Sequence, residues 1–135
     1  MAYWLMKSEP ETYGWSDLMR DGRAEWDGVR NPAAALHLRA MAPGDRALFY
    51  HSGKDKAAVG VMEIVRGAKQ DGPEPRWVSV EVKPAAALPH PVTLAAMKAD
   101  PRLKEIETLR QSRLSVSPVR EAEWETILEM AGRPA

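Results

Sequence analysis

Arg46-Ala47-Leu48-Phe49-Tyr50-His51-Ser52, Ala58-Val59-Gly60-Val61-Met62-Glu63-Ile64-Val65 and Trp77-Val78-Ser79-Val80-Glu81-Val82 are three runs rich in β-branched and aromatic residues, separated by Gly, Pro and Asp clusters. Such side chains fit the pleated surface of a sheet, and the clusters supply turns, so the middle of the chain reads as an antiparallel sheet. In the third run Val78, Val80 and Val82 share a face opposite Trp77, Ser79 and Glu81, which predicts one side in a core and Ser79 and Glu81 toward water. Upstream, Tyr3-Trp4-Leu5-Met6-Lys7-Ser8, ended by Pro10, reads as a first strand. Alternation places Trp4, Met6 and Ser8 on one side and Tyr3, Leu5 and Lys7 on the other.

Around these strands the sequence predicts helices. Residues 12–19 read as a short one, with Ser16 as its cap and Gly22 closing it. Asn31 caps a second, with Pro32 at its first position and residues 33–41 as its body, ending at Pro43-Gly44-Asp45. Residues 84–91, with three prolines and no regular period, read as a surface connector, followed by a helix from Thr93. Residues 113–119 alternate as a short strand that Pro118 breaks. From Arg120 a terminal helix sets Trp124, Ile127, Leu128 and Met130 on an apolar face, with Glu121, Glu123 and Glu125 on the others. The sum is an α+β architecture with a curled, partly closed sheet in a single domain, residues 1–135.

Composition narrows the function classes. With 44% hydrophobic and 28% charged residues the chain is globular in type, and no run approaches the ~18 apolar residues of a membrane span. Met1 to Lys7 has no basic leader followed by a long apolar stretch, so a cytoplasmic location is expected. The absence of cysteine excludes disulfides, thiolate catalysis and Cys-based zinc sites. His37, His51 and His90 are too far apart for a local metal motif, and neither metal nor cofactor is expected. Nineteen basic residues balance nineteen acidic ones, and the two halves balance too, so any nucleic-acid binding rests on a local patch.

Trp26-Asp27-Gly28-Val29-Arg30-Asn31 places an aromatic plate, a glycine turn, a guanidinium and a side-chain amide within six residues. Gly28 permits positive φ, which lets Trp26 and Asn31 face each other across the turn. A nucleobase uses both, through its π face and its hydrogen-bonding edge; an ordinary core tryptophan beside an Asp-Gly turn is the competing reading. Lys7-Ser8-Glu9-Pro10 ends the first strand, where Glu9 can accept from an exocyclic amine and Ser8 can donate or accept, unless the segment is simply a solvated turn. In Tyr50-His51-Ser52 adjacent side chains point to opposite faces, which argues against a His-Ser catalytic pair and leaves the Tyr50 and Ser52 face as the better pocket lining. In Arg113-Leu114-Ser115-Val116, Arg113 can reach a phosphate and Leu114 can line an apolar niche; an amphipathic edge strand explains the same pattern. No Gly-rich phosphate loop is present.

Together Tyr3-Trp4-Leu5, Lys7-Ser8-Glu9-Pro10, Trp26-Asp27-Gly28-Val29-Arg30-Asn31, Tyr50-His51-Ser52 and Arg113-Leu114-Ser115-Val116 resemble the EVE-domain family over nearly the whole chain. Gly44-Asp45, Pro91-Val92 with Leu94 and Lys98, and Pro118-Val119 fit the same pattern. The resemblance implies a PUA-like fold, a curled antiparallel β-barrel flanked by short helices, related to the YTH domains that read methylated adenine in RNA. It implies a non-enzymatic reader of modified bases, above all modified cytosine in DNA, with RNA as the alternative and restriction or defence systems as partners of bacterial members. Carried over by motif, the pocket is Lys7, Ser8, Glu9, Trp26, Asn31, Tyr50, His51, Ser52, Leu114 and Ser115, with Arg30 and Arg113 as phosphate contacts read from the residues themselves. Two other classes stay open: an enzyme acting on a free nucleobase or nucleoside with Glu9 as general base, and a peptide-binding module.

Overall fold

β1 (Tyr3–Ser8) and β3 (Arg46–His51) are nearly continuous apolar runs, the pattern a strand needs when both of its faces are covered. Trp4, Met6, Ala47 and Phe49 enter one core; Leu5, Leu48 and Tyr50 enter another on the opposite face. The computed structural model, which describes residues 1–133, sets these two strands side by side and parallel, from Tyr3 beside Arg46 to Ser8 beside His51. β2 (Ala24–Trp26), β4 (Ala57–Gln70), β5 (Val78–Thr93) and β6 (Val116–Val119) complete a six-stranded sheet in the order β2-β5-β4-β3-β1-β6, every other ladder being antiparallel.

β3, β4 and β5 pair antiparallel as the middle of the sequence predicts, and two features of the barrel implied by the resemblance are corrected. The sheet is mixed, because β1 lies parallel to β3, and its ladder ends at β2 and β6 without joining them, so it does not close into a barrel. The end strands are only three and four residues long. The expected connector at residues 84–91 is instead the second half of β5. Register shifts against β4 between Ala58 and Gly60 and between Val61 and Met62 interrupt the ladder there, and such bulges are where a strand tolerates Pro84, Pro89 and Pro91. Pro118 likewise sits inside β6, at the sheet edge.

The predicted helix at residues 12–19 is two helices, α1 (Pro10–Tyr13) and α2 (Trp15–Asp21), because Gly14 between them is extended. Gly14, not Ser16, caps α2, its N–H donating to the Asp17 carboxylate at 2.7 Å. α3 (Pro32–Ala40) starts as expected, the Asn31 side chain accepting from the Ala34 N–H at 3.0 Å. α4 (Leu94–Ala99) is capped by Thr93, and α5 (Glu107–Arg110) precedes β6. α6 (Glu121–Met130) lays Trp124, Ile127 and Leu128 into the second core, with Trp124 stacked on Tyr3 at 4.5 Å between ring centroids. Glu123 is buried rather than solvated, because its carboxylate accepts from the Arg120 N–H and caps this helix. At the other face, Trp15 of α2 lies on the bare backbone of β4; a Cβ at Gly60 would meet its ring at 2.5 Å.

One buried acid sets the parallel register. Asp45, 5% exposed at the start of β3, accepts from the Ala2 N–H at 3.1 Å, the Trp4 indole at 3.1 Å and the Ala42 N–H at 3.0 Å. Burial by itself raises its pKa, and these donors outweigh that, holding the carboxyl below its usual range. An amide has only one acceptor oxygen, so Asp45→Asn leaves at least one donor facing an NH2 group. The expected cost is about 1–3 kcal/mol for each donor left unpaired, read as a lower urea midpoint with an unchanged slope.

Candidate functional site

β1 ends at Ser8 and β2 ends at Trp26, and beside these strand ends a cavity of about 480 Å³ opens. Lys7 and Ser8 of β1, Thr12 and Tyr13 of α1, the segment from Ala24 to Arg30, and Ser115 line it. Trp26 is 8% exposed: its ring meets Phe49 edge to face at 5.5 Å, so it is a core residue that also forms cavity wall, which reconciles the two readings of this position. The turn after it needs glycine, since Gly28 has φ of +76°. Its N–H and the Arg30 guanidinium both donate to one oxygen of Asp71, at 2.9 and 3.0 Å. That carboxylate, just beyond the end of β4, fixes the loop that carries Arg30.

Three polar side chains of the lining, Ser8, Lys7 and Tyr13, are held by the protein itself. Ser8 Oγ donates to the Tyr13 carbonyl at 2.6 Å, tying β1 to α1. Lys7 Nζ donates to the Ser112 carbonyl at 2.9 Å, and burial pushes its pKa below the ordinary value. Tyr13 donates to Asp21 at 2.8 Å; burial, then the Asp21 hydrogen bond and charge, push its phenol up to about 12, so it stays neutral. Lys7 and Arg30 are the cations of the lining, and Arg30 is already paired with Asp71.

Of the residues singled out in the sequence, Lys7, Ser8, Trp26, Arg30 and Ser115 meet in this cavity. Glu9 and Ser52 lie together in a separate depression of about 360 Å³, because Pro10 starts α1 and turns the chain away after Ser8. Asn31, Arg113 and Leu114 line a third, of about 410 Å³. Tyr50 is buried in the core on the opposite face of the sheet from Trp26 and lies outside the lining of this cavity. His51 is held at both nitrogens: Nε2 accepts from the Trp15 N–H at 3.0 Å, and Nδ1 lies 3.2 Å from Asp55.

Tyr13, Glu25 and Asp71 were not singled out in the sequence. Tyr13 faces the cavity only because Gly14 splits the helix, and Asp71 reaches Gly28 from 43 residues away, so no local pattern marks either. Glu25 of β2 receives both Arg66 nitrogens, at 2.9 and 2.6 Å, and the Ser79 hydroxyl, which buries Ser79 instead of leaving it toward water. Among the described residues no three His, Asp or Glu side chains lie close enough to hold a metal ion, and no helix is long and apolar enough to cross a membrane.

A six-stranded mixed sheet covered on both faces, with an aromatic-walled cavity at its strand ends, defines an α+β domain. The EVE domain model matches residues 2–130, and the chain belongs to the EVE-domain family. Human thymocyte nuclear protein 1 is 30% identical over 96% of this chain and 73% of its own length. A solved protein of Rhodopseudomonas palustris superposes with a TM-score of 0.93 at 45% identity, covering 98% of this chain and 94% of the other. The crystal structure of human THYN1 in complex with 5-methylcytosine-containing DNA superposes with a TM-score of 0.89 at 29% identity, covering 100% of both chains. A YTH domain from Zygosaccharomyces rouxii, at 14% identity and a TM-score of 0.63 over 96% of this chain and 86% of its own, shares the fold.

The Glu25 contacts make stability depend on acid. The Arg66 hydrogen bonds, which outweigh burial, lower the Glu25 pKa from 4.5 to about 2. A carboxyl depressed on folding stabilises the native state above its unfolded pKa and ceases to as pH falls from about 4.5 toward 2. Arg66→Met is expected to flatten urea stability against pH across that window while leaving the profile between pH 6 and 8 parallel to that of the unaltered chain.

Proposed function

We propose that this chain reads a modified nucleobase, a modified cytosine in DNA before others, by taking an unstacked base into the cavity beside Trp26. The observation that carries the reading is that cavity: an indole wall, hydroxyl and backbone groups around it, and cations at its edge, in a chain that superposes along its whole length on the THYN1 complex with 5-methylcytosine DNA. Trp26 supplies the apolar face, Ser8 and Ser115 the polar groups nearest the strand ends, and Lys7 and Arg30 the positive charge. Binding rather than turnover fits the side chains, since the Ser8 hydroxyl donates to the Tyr13 carbonyl rather than to a base, and His51 is engaged elsewhere. Glu9, the general base of the enzyme reading, lines a different depression.

Magnitudes set the preferred substrate. Base stacking on an aromatic side chain contributes about 1–3 kcal/mol, and extruding a base from a duplex costs a few kcal/mol, so single-stranded or distorted DNA binds more tightly than intact duplex. A buried methyl adds about 0.8 kcal/mol, close to fourfold, so stronger discrimination requires a closely fitted niche.

The test is a titration with single-stranded and duplex DNAs, and the matching RNAs, that differ only in cytosine, 5-methylcytosine or 5-hydroxymethylcytosine at one position. Modification-dependent binding is expected, reduced about 5- to 150-fold by Trp26→Leu. Because Trp26 also packs on Phe49, circular dichroism must show the variant folded. Equal affinity for every oligonucleotide, or unchanged affinity in folded Trp26→Leu, rejects the reading; tighter binding to the RNA series moves it from DNA to RNA.

A further inference from the structure

The Trp26 cavity and the depression beside Arg113 are lined by adjacent residues of the same two loops. Arg30 and Ser115 line the first, and their chain neighbours Asn31 and Leu114 line the second, so the same two loops, β2 to α3 and α5 to β6, run past both. A base cannot leave its sugar and phosphates behind, and a nucleotide whose base enters the cavity must lead its backbone out along one side. Charge separates the two sides. On the side of the β4–β5 connection the cations are neutralised: Arg30 pairs with Asp71 at 3.0 Å, and Arg76 with Glu74 at 2.8 Å. On the side of the α5–β6 loop Arg110 is paired with Glu107, while Arg113 is exposed and makes no ion pair or hydrogen bond among the described residues. The Lys7 ammonium lies at that loop too, on the Ser112 carbonyl.

We infer that the groove between the β2–α3 and α5–β6 loops is a phosphodiester subsite, with Arg113 as its cation and the backbone of the bound strand leaving the cavity over Leu114 and Ser115 rather than over Asp71. The inference rests on the base reading above and adds a direction to it. In a chain with no net charge, the unpaired Arg113 guanidinium, with the Lys7 ammonium at the same loop, is a local attraction for a phosphate, whereas the Arg30–Asp71 and Arg76–Glu74 pairs on the other side offer no net charge.

The experiment compares the unaltered chain, Arg113→Ala and Arg76→Ala, using a short single strand with one 5-methylcytosine, its unmodified counterpart, and free 5-methylcytidine, over a range of salt. Arg113→Ala is expected to weaken binding of the strand and to reduce the slope of log affinity against log salt by about 0.7, the value for one phosphate on a single strand. Free 5-methylcytidine, which has no phosphate, should bind Arg113→Ala as it binds the unaltered chain, and Arg76→Ala should leave the slope unchanged. A neutral methylphosphonate at the phosphodiester next to the modified base should reproduce the loss in the unaltered chain and add nothing in Arg113→Ala. Modification-dependent binding with an unchanged slope in Arg113→Ala overturns the subsite alone, as does an equal slope loss in Arg76→Ala. Binding that ignores the modification but still loses slope in Arg113→Ala overturns the base reading and keeps the subsite. No binding of either strand by the unaltered chain overturns both.

Discussion

A single buried carboxylate determines how the first strand enters this fold. Asp45 gathers the Ala2 and Ala42 N–H groups and the Trp4 indole, so the start of β1 and the start of β3 are fixed to one point. A parallel pair cannot be closed by a hairpin, and its register must be set by contacts between segments distant in the chain. Asp45 supplies them from 41 to 43 residues away. With the register set at this end, Lys7 and Ser8 arrive opposite Tyr50 and His51 at the other, where the cavity opens.

Phe49 carries this order to the cavity. Its ring meets Trp15 at 5.6 Å, Trp26 at 5.5 Å and His51 at 5.5 Å, each close to edge-on. Three elements that approach the cavity from different parts of the chain, α2, β2 and the end of β3, therefore touch one fully buried side chain. Edge-to-face contacts are directional as well as apolar, so they fix the angle of the Trp26 indole along with its position. Asp71 does for the following turn what Phe49 does for the indole, through charge-assisted hydrogen bonds in place of ring contacts.

What could be read from the sequence was local in origin. The Asn31 cap on α3, the start of α4 near Thr93, the facing of β1 and β3 and the apolar face of α6 all depend on residues within a turn or a strand of each other. The parallel placement of β1 and the clamp of Asp71 on Gly28 depend on pairing between distant segments, which alternation and capping signals do not encode. Residues 84–91 were misread for a related reason: prolines argue against a strand unless bulges relieve them, and bulges belong to the pairing with β4 rather than to either strand alone. Most of the residues that the motifs group into one pocket are divided by the structure among three depressions. Lys7, Ser8, Trp26, Arg30 and Ser115 meet in the largest of the three, while Glu9 with Ser52 and Asn31 with Arg113 occupy its flanks.

Trp15 rests on β4 where Gly60 has no side chain, and this seat gives the neighbouring wall a particular mechanical character. α1, with Thr12 and Tyr13, is joined to α2 through Gly14 and the Tyr13–Asp21 hydrogen bond, so an indole keyed into the sheet anchors that wall to the strands. The conformational entropy of ordering it is lost when the chain folds, not when a ligand arrives. On the base reading, a wall ordered in this way would select by exclusion, admitting a group that fits without a closing step.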